Sequence, residues 1–152
     1  MKPERHPVFI EHVRPAVDDG RHPVKRVVGD VLTVTADIFK EGHDQLAARV
    51  RYRGHDAAEW REAPMRLVDN DRWAGSFALE RLGRYAFTVE AWKDAFASYC
   101  ADLTKRVAAK QDVSGELKEG YRLVTLAVER ADGTDREALE SIARLLEDSR
   151  PV

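Results

Sequence analysis

The side chains in this sequence with chemistry to offer are five histidines, one cysteine, three tryptophans and a row of arginines. His6, His12, His22, His43 and His55 are scattered over segments that read as loops and strand ends. A metal ion needs ligands that converge, and no two of these stand at ligand spacing on one helix face, so no metal site is expected. Cys100 lies on the apolar stripe of a helical segment without a histidine at helical spacing beside it. A small buried hydrophobe is its expected role, not a nucleophile. Gly29 and Gly42 stand alone, and nothing resembles a phosphate-cradling loop or a dinucleotide fingerprint, so no cofactor is expected. No residue set supports catalysis within the chain.

The tryptophans are the feature that could carry sugar binding, because an indole offers an apolar platform with a polar rim. Trp73 shares the inward register of Phe77 and Leu79 and reads as core. Trp60 and Trp92 are the candidate sugar contacts. Trp60 lies in a segment interrupted by Pro64, and Trp92 falls on the face opposite Tyr85 and Phe87. Packing beside the junction of two structural halves is the competing reading for Trp92. Arg49, Arg51 and Arg53 give one strand a basic outer stripe; pairing with Glu59, Glu62 or other carboxylates across the sheet is expected over contact with an anionic ligand. Gly42-His43-Asp44 reads as a tight turn that needs its glycine, with the aspartate bonding nearby backbone.

The elements that hold these residues change type around Gly83–Tyr99 (GRYAFTVEAWKDAFASY). Its first half alternates like a strand, with Tyr85, Phe87, Val89 and Ala91 on one face. Its second half has helical spacing, with Phe96, Tyr99, Cys100, Leu103 and Val107 in one stripe. Before it come short alternating segments: Val8 to Val13, Lys25 to Val28 as an edge strand, Leu32 to Ile38, Leu46 to Arg53, a Trp60–Leu67 piece broken by Pro64, and Trp73 to Leu79. Turn signals recur every 8 to 12 residues, the pattern of an immunoglobulin- or fibronectin-like antiparallel β-sandwich. Met1 to Pro7 reads as a loose leader. Three antiparallel helices follow: Ala95 to Lys110, one opening after Asp112 or Ser114 and closed by Asp132-Gly133, and one opened by a Thr134–Glu137 capping box. The expected class is α+β, with a sandwich over residues 1–93 and a helical subdomain over 94–152.

The totals are 25 basic against 27 acidic residues, a net charge of −2, which argues against a nucleic-acid partner. No apolar run approaches the roughly 20 residues of a membrane span, and no signal peptide is evident. With one cysteine, the expected location is the cytoplasm.

Four stretches carry a family likeness: HPVKRVVGD (His22 to Asp30), ADIFKEGHD (Ala36 to Asp44), DRWAGSF (Asp71 to Phe77) and GRYAFTVEAWKDAF (Gly83 to Phe96). Together they resemble the N-terminal region of the bacterial α-1,4-glucan:maltose-1-phosphate maltosyltransferases, enzymes of the α-amylase superfamily that extend α-glucan with maltosyl units. The resemblance covers most of the chain in the right order and is closest in the β half. It implies a β-sandwich carrying a helical insertion that starts near Lys93–Asp94, and a homodimer interface to which both contribute. It also implies a non-catalytic accessory and dimerisation region. A catalytic barrel needs about 250 residues and two carboxylates at a set separation, so the catalytic residues are expected beyond residue 152. The chain then reads as a piece of a longer enzyme in which the sandwich resumes after the helices. Missing strands would leave a sheet edge that invites a second copy. On the same resemblance Gly42, His43 and Asp44 match a family loop and become candidates for docking against the parent's barrel. The alternative is a carbohydrate module holding α-glucan through Trp60 and Trp92.

Overall fold

The computed structural model describes residues 7–148, so the first six residues of the leader, with His6, and the last four of the chain lie outside the described residues. The chain divides into two compact units, Met1–Lys93 and Asp94–Val152.

Six strands make up the first unit among the described residues: β1 Phe9–Arg14, β2 Val31–Phe39, β3 Leu46–Gly54, β4 Arg61–Asp69, β5 Arg72–Ala78 and β6 Tyr85–Lys93. They form one antiparallel sheet in the order β1-β2-β5-β4-β3-β6. Period-two alternation decides which face is buried. Leu32, Val34, Ala36 and Ile38 of β2 are buried, as are Ala48, Val50 and Tyr52 of β3. Tyr85, Phe87, Val89 and Ala91 of β6 pack against that core from one side, with Trp73 of β5 also partly buried on it.

The sheet turns over at β4. Residues Arg61 to Met65 pair with β3, and Arg66 to Asp69 pair with β5. Core side chains of the two halves therefore meet face to face. Tyr52 stacks on Phe77 with ring centroids 3.9 Å apart. A Cβ added at Gly75 would lie 2.8 Å from Met65 Cγ and 3.2 Å from Val50 Cγ2, so no other residue type fits this crossing at its present spacing. The described strands thus form a single folded sheet whose end strands, β1 and β6, approach one another.

Three local readings of the sequence are corrected. Pro64 does not break its segment: β4 runs through it, paired opposite Arg49. The Pro64 carbonyl lies on the Gly75 side, and in a strand a residue's nitrogen shares that side, so its missing N–H costs the β3 ladder nothing. Lys25 to Val28 is not a strand. Instead Gly29 N–H donates to the Leu79 carbonyl and Leu79 N–H to that of Asp30, which ties the loop across the end of β5. The second helix stops at Val128, short of Asp132-Gly133, and Gly133, with φ of 55°, opens the third helix rather than closing the second.

Between Glu11 and Arg14, β1 advances three residues while β2 advances two, a bulge centred on His12, whose φ is 50°. β6 pairs with β3 without interruption from Tyr85 to Lys93, and its other edge is free among the described strands.

The second unit contains α1 Ala95–Ala108, α2 Ser114–Val128 and α3 Gly133–Asp148. The Asp94 carboxylate caps α1 by accepting from Ala97 N–H at 2.8 Å. Asp112 accepts from both Ser114 N–H and Ser114 Oγ–H just ahead of α2. The Tyr99 ring of α1 lies against Gly120 of α2. Val124, 2% exposed, is the buried apolar side chain of this unit among the described residues. None of its helices is long and apolar enough to cross a membrane.

Candidate functional site

On the outer face of β3, the arginine stripe forms a ladder with both candidate tryptophans. β3 lies between β4 and β6, in a register that sets Arg49 opposite Glu90 and Arg51 opposite Glu62. Arg49 donates to Glu90 through Nε at 2.9 Å and to Glu62 through Nη1 at 2.8 Å. Arg51 Nη1 donates to Glu90 at 3.2 Å. Trp92, 43% exposed, carries the Arg49 guanidinium 5.3 Å from its ring centroid. At the other end, Trp60 takes Arg51 at 5.6 Å and Arg53 at 4.8 Å. Each cation–π contact at such a site is worth about 0.5–1 kcal/mol. The hydrogen bond from Arg49 holds the Glu90 carboxyl below its usual range, with Arg51 adding to it, and Glu90 in turn raises Arg49.

The ladder is a nearly self-neutral surface in which the cations hold one another's partners. Trp92 stands opposite Ala47 and Trp60 near the level of Arg53, so their backbone positions are about 20 Å apart along the strand. They lie on one face but do not meet in one site, and guanidinium groups already cover part of each. Glu62 is among the carboxylates that the sequence offers to the arginines, whereas the central place of Glu90 depends on β6 lying beside β3.

The Gly42-His43-Asp44 turn joins β2 to β3. Gly42 takes a φ of 95°, a left-handed conformation that suits glycine. His43 is exposed. Asp44 accepts from Lys40 and from Lys93, both at 2.6 Å. It therefore bonds lysine side chains and fastens the turn to the last residue of β6. These hydrogen bonds, Lys40 first and then Lys93, hold the Asp44 carboxyl below its ordinary value. A carboxylate with a lowered folded pKa contributes stability that is fully present above its unfolded pKa, about 4, and lost as pH falls through the folded value. Asp44→Asn is therefore expected to lower Tm at pH 7. The gap from the parent should close on acidification below about pH 4, read by thermal melts from pH 7 to pH 2. A gap constant over that range would remove Asp44 as the clamp.

The histidines stay apart. His12 Nδ1 lies 2.9 Å from Asp37 Oδ2, and Asp37 is also held by Arg72. His22 Nε2 is 3.8 Å from Asp18. The His55 backbone N–H donates to the Arg84 carbonyl. Among the described residues, no group of three or more His, Cys, Asp or Glu side chains is placed to hold a metal ion. Cys100 is a free, half-buried thiol on α1.

Comparison with known proteins gives these features a context. Residues 6–152 match the family model described as "Alpha-1,4-glucan:maltose-1-phosphate maltosyltransferase, domain N/S". A curated protein of that enzyme name from Myxococcus xanthus is 52% identical over 128 residues, 82% of this chain and 19% of the relative. One from Chlorobaculum tepidum is 42% identical over 93% of this chain and 21% of its own length. One from Burkholderia pseudomallei is 44% identical over 87% of this chain and 12% of its own length. The chain spans about a fifth or less of the length of these relatives.

Proposed function

Because the chain belongs to the domain N/S family of the α-1,4-glucan:maltose-1-phosphate maltosyltransferases, we propose that it is the accessory and dimerisation region of such an enzyme. The reaction, transfer of maltosyl from maltose 1-phosphate to α-1,4-glucan, belongs in this reading to the polypeptide outside residues 1–152. The observation that carries the proposal is the continuous match from residue 6 to residue 152, through the folded sheet and all three helices. We read the sheet as an immunoglobulin-like sandwich in which β4 serves both layers, supported by its exchange of partner from β3 to β5. The cytoplasm is the proposed location.

The helical unit supports the assembly role by what it leaves uncovered. Val107 is 57% exposed and Leu145 65%, with Phe96, Leu126 and Ile142 also exposed, an apolar surface suited to a second copy. Light scattering over a dilution series is expected to show a reversible dimer. Ile142→Glu with Leu145→Glu is expected to give a monomer that keeps its helical circular dichroism. A wild-type chain that stays monomeric at the highest concentration would remove the dimerisation role and leave the family assignment intact.

A further inference from the structure

The outer face of β3 is closed to added strands, because β4 and β6 take both of its backbone edges. A ligand on this face is recognised by side chains alone. Trp92 on β6 and Trp60 just ahead of β4 stand at opposite corners of it, their backbone positions about 20 Å apart along β3. Trp92 is exposed and Trp60 half-buried. Stacked guanidinium groups brace both rings, Arg49 on Trp92 and Arg51 with Arg53 on Trp60. A small molecule can reach one indole; only a chain can reach both.

Between the indoles the face is polar but carries little net charge. Glu90 and Glu62 hold Arg49, and Glu90 also holds Arg51, so the strip attracts neither a polyanion nor a polycation strongly. Its hydrogen-bonding capacity is not spent, since a guanidinium and a carboxylate each have more donor or acceptor positions than these bonds consume. Arg53 has no carboxylate partner among the described residues, and the exposed Thr88 opposite Arg51 adds a hydroxyl. Apolar planes at two corners of a neutral, hydrogen-bonding strip match a chain of sugar rings, with its apolar ring faces and hydroxyl edges. We propose that this face holds one α-1,4-glucan chain, laid diagonally across β3 from Trp92 to Trp60. The choice of an α-glucan among neutral sugar chains rests on reading the chain as one region of a maltosyltransferase.

Shielding of tryptophan fluorescence from acrylamide, titrated with maltose and with maltodecaose, tests this on the 152-residue chain. Maltodecaose is expected to bind about a hundredfold more tightly than maltose or better, because a chain seated on one indole presents its other end to the second. Trp60→Ala and Trp92→Ala should each weaken maltodecaose about tenfold or more, with thermal melts reporting that the sheet unit is folded. If either alanine variant does not fold, Trp60→Leu or Trp92→Leu, which keeps apolar bulk without the flat ring, is read the same way. Absence of shielding by maltodecaose overturns the proposal, as do equal affinities for the two sugars or an affinity that survives both tryptophan changes. Displacement of maltodecaose by dextran sulfate assigns the face to polyanions and also overturns it. Maltosyl transfer to glucan, assayed on the full-length polypeptide, separates the two readings. Activity in that polypeptide with no shielding by maltodecaose defeats the glucan-holding face alone, and shielding without activity defeats the enzyme assignment alone.

Discussion

Gly75→Val is expected to unfold the sheet unit, and Gly75→Ala to lower its stability by about 1–3 kcal/mol. The reason is the crossing of β5 over the other half of the sheet. A first carbon at this position would sit 2.8 Å from Met65 Cγ and 2.9 Å from the Pro64 carbonyl oxygen. The methionine can swing away, but the carbonyl belongs to the backbone of a paired strand and cannot move cheaply. The strain must exceed the roughly 0.5–1 kcal/mol that a strand gains on exchanging glycine for alanine. For a unit of this size each kcal/mol corresponds to about 4–8 °C in Tm, so the alanine variant is readily measured by thermal melting. Shortening Met65 to alanine in the same chain should recover part of the loss, because it removes one of the two clashes. An alanine variant as stable as the parent would mean that the two halves of the sheet do not approach as closely as described.

Val124→Asp is expected to abolish the helical unit. Val124 is 2% exposed, and the other large apolar side chains of the three helices are half-buried or exposed. A carboxylate there would lose its water without gaining a partner, a cost of several kcal/mol against a small core. The measurement separates the units because Trp60, Trp73 and Trp92 all belong to the first. Ellipticity at the helical band should collapse while tryptophan fluorescence stays native. Thr134→Asp, at an exposed position in the first turn of α3, is the control and should change stability by no more than about 0.5 kcal/mol. Full retention of helix in the Val124 variant would mean that the unit does not depend on this contact.

Much of the sheet was legible from residue spacing. Leu32 to Ile38 and Leu46 to Tyr52 alternate without interruption, and one face of each is the face they bury. The cap at Asp94 was legible only as a change of period, because the signal is one side chain among several candidates. Pro64 misled because a proline's cost in a strand depends on which edge its nitrogen faces, and this is set by strands elsewhere in the chain. The same limit applies to the ladder. Arg49, Arg51 and Arg53 announce a basic stripe, and their need for carboxylates follows from ordinary electrostatics. That Glu90 would stand opposite Arg49, and that the indoles would close the two ends, depends on the register between residues 41 apart in the chain. Asp44 lay in a recognisable turn, yet its partner Lys93 sits on another strand, so the sequence suggested backbone bonding where the fold supplies two ammonium groups.

The bulge at His12 makes the two ends of the sheet unequal. β1 presents a kinked edge, whereas β6 presents nine residues of regular strand. Growth of sheet into fibre needs two receptive edges on every unit, so that each addition creates a place for the next. Association through this sheet is therefore expected to be self-limiting, stopping at one added partner without propagating into a polymer.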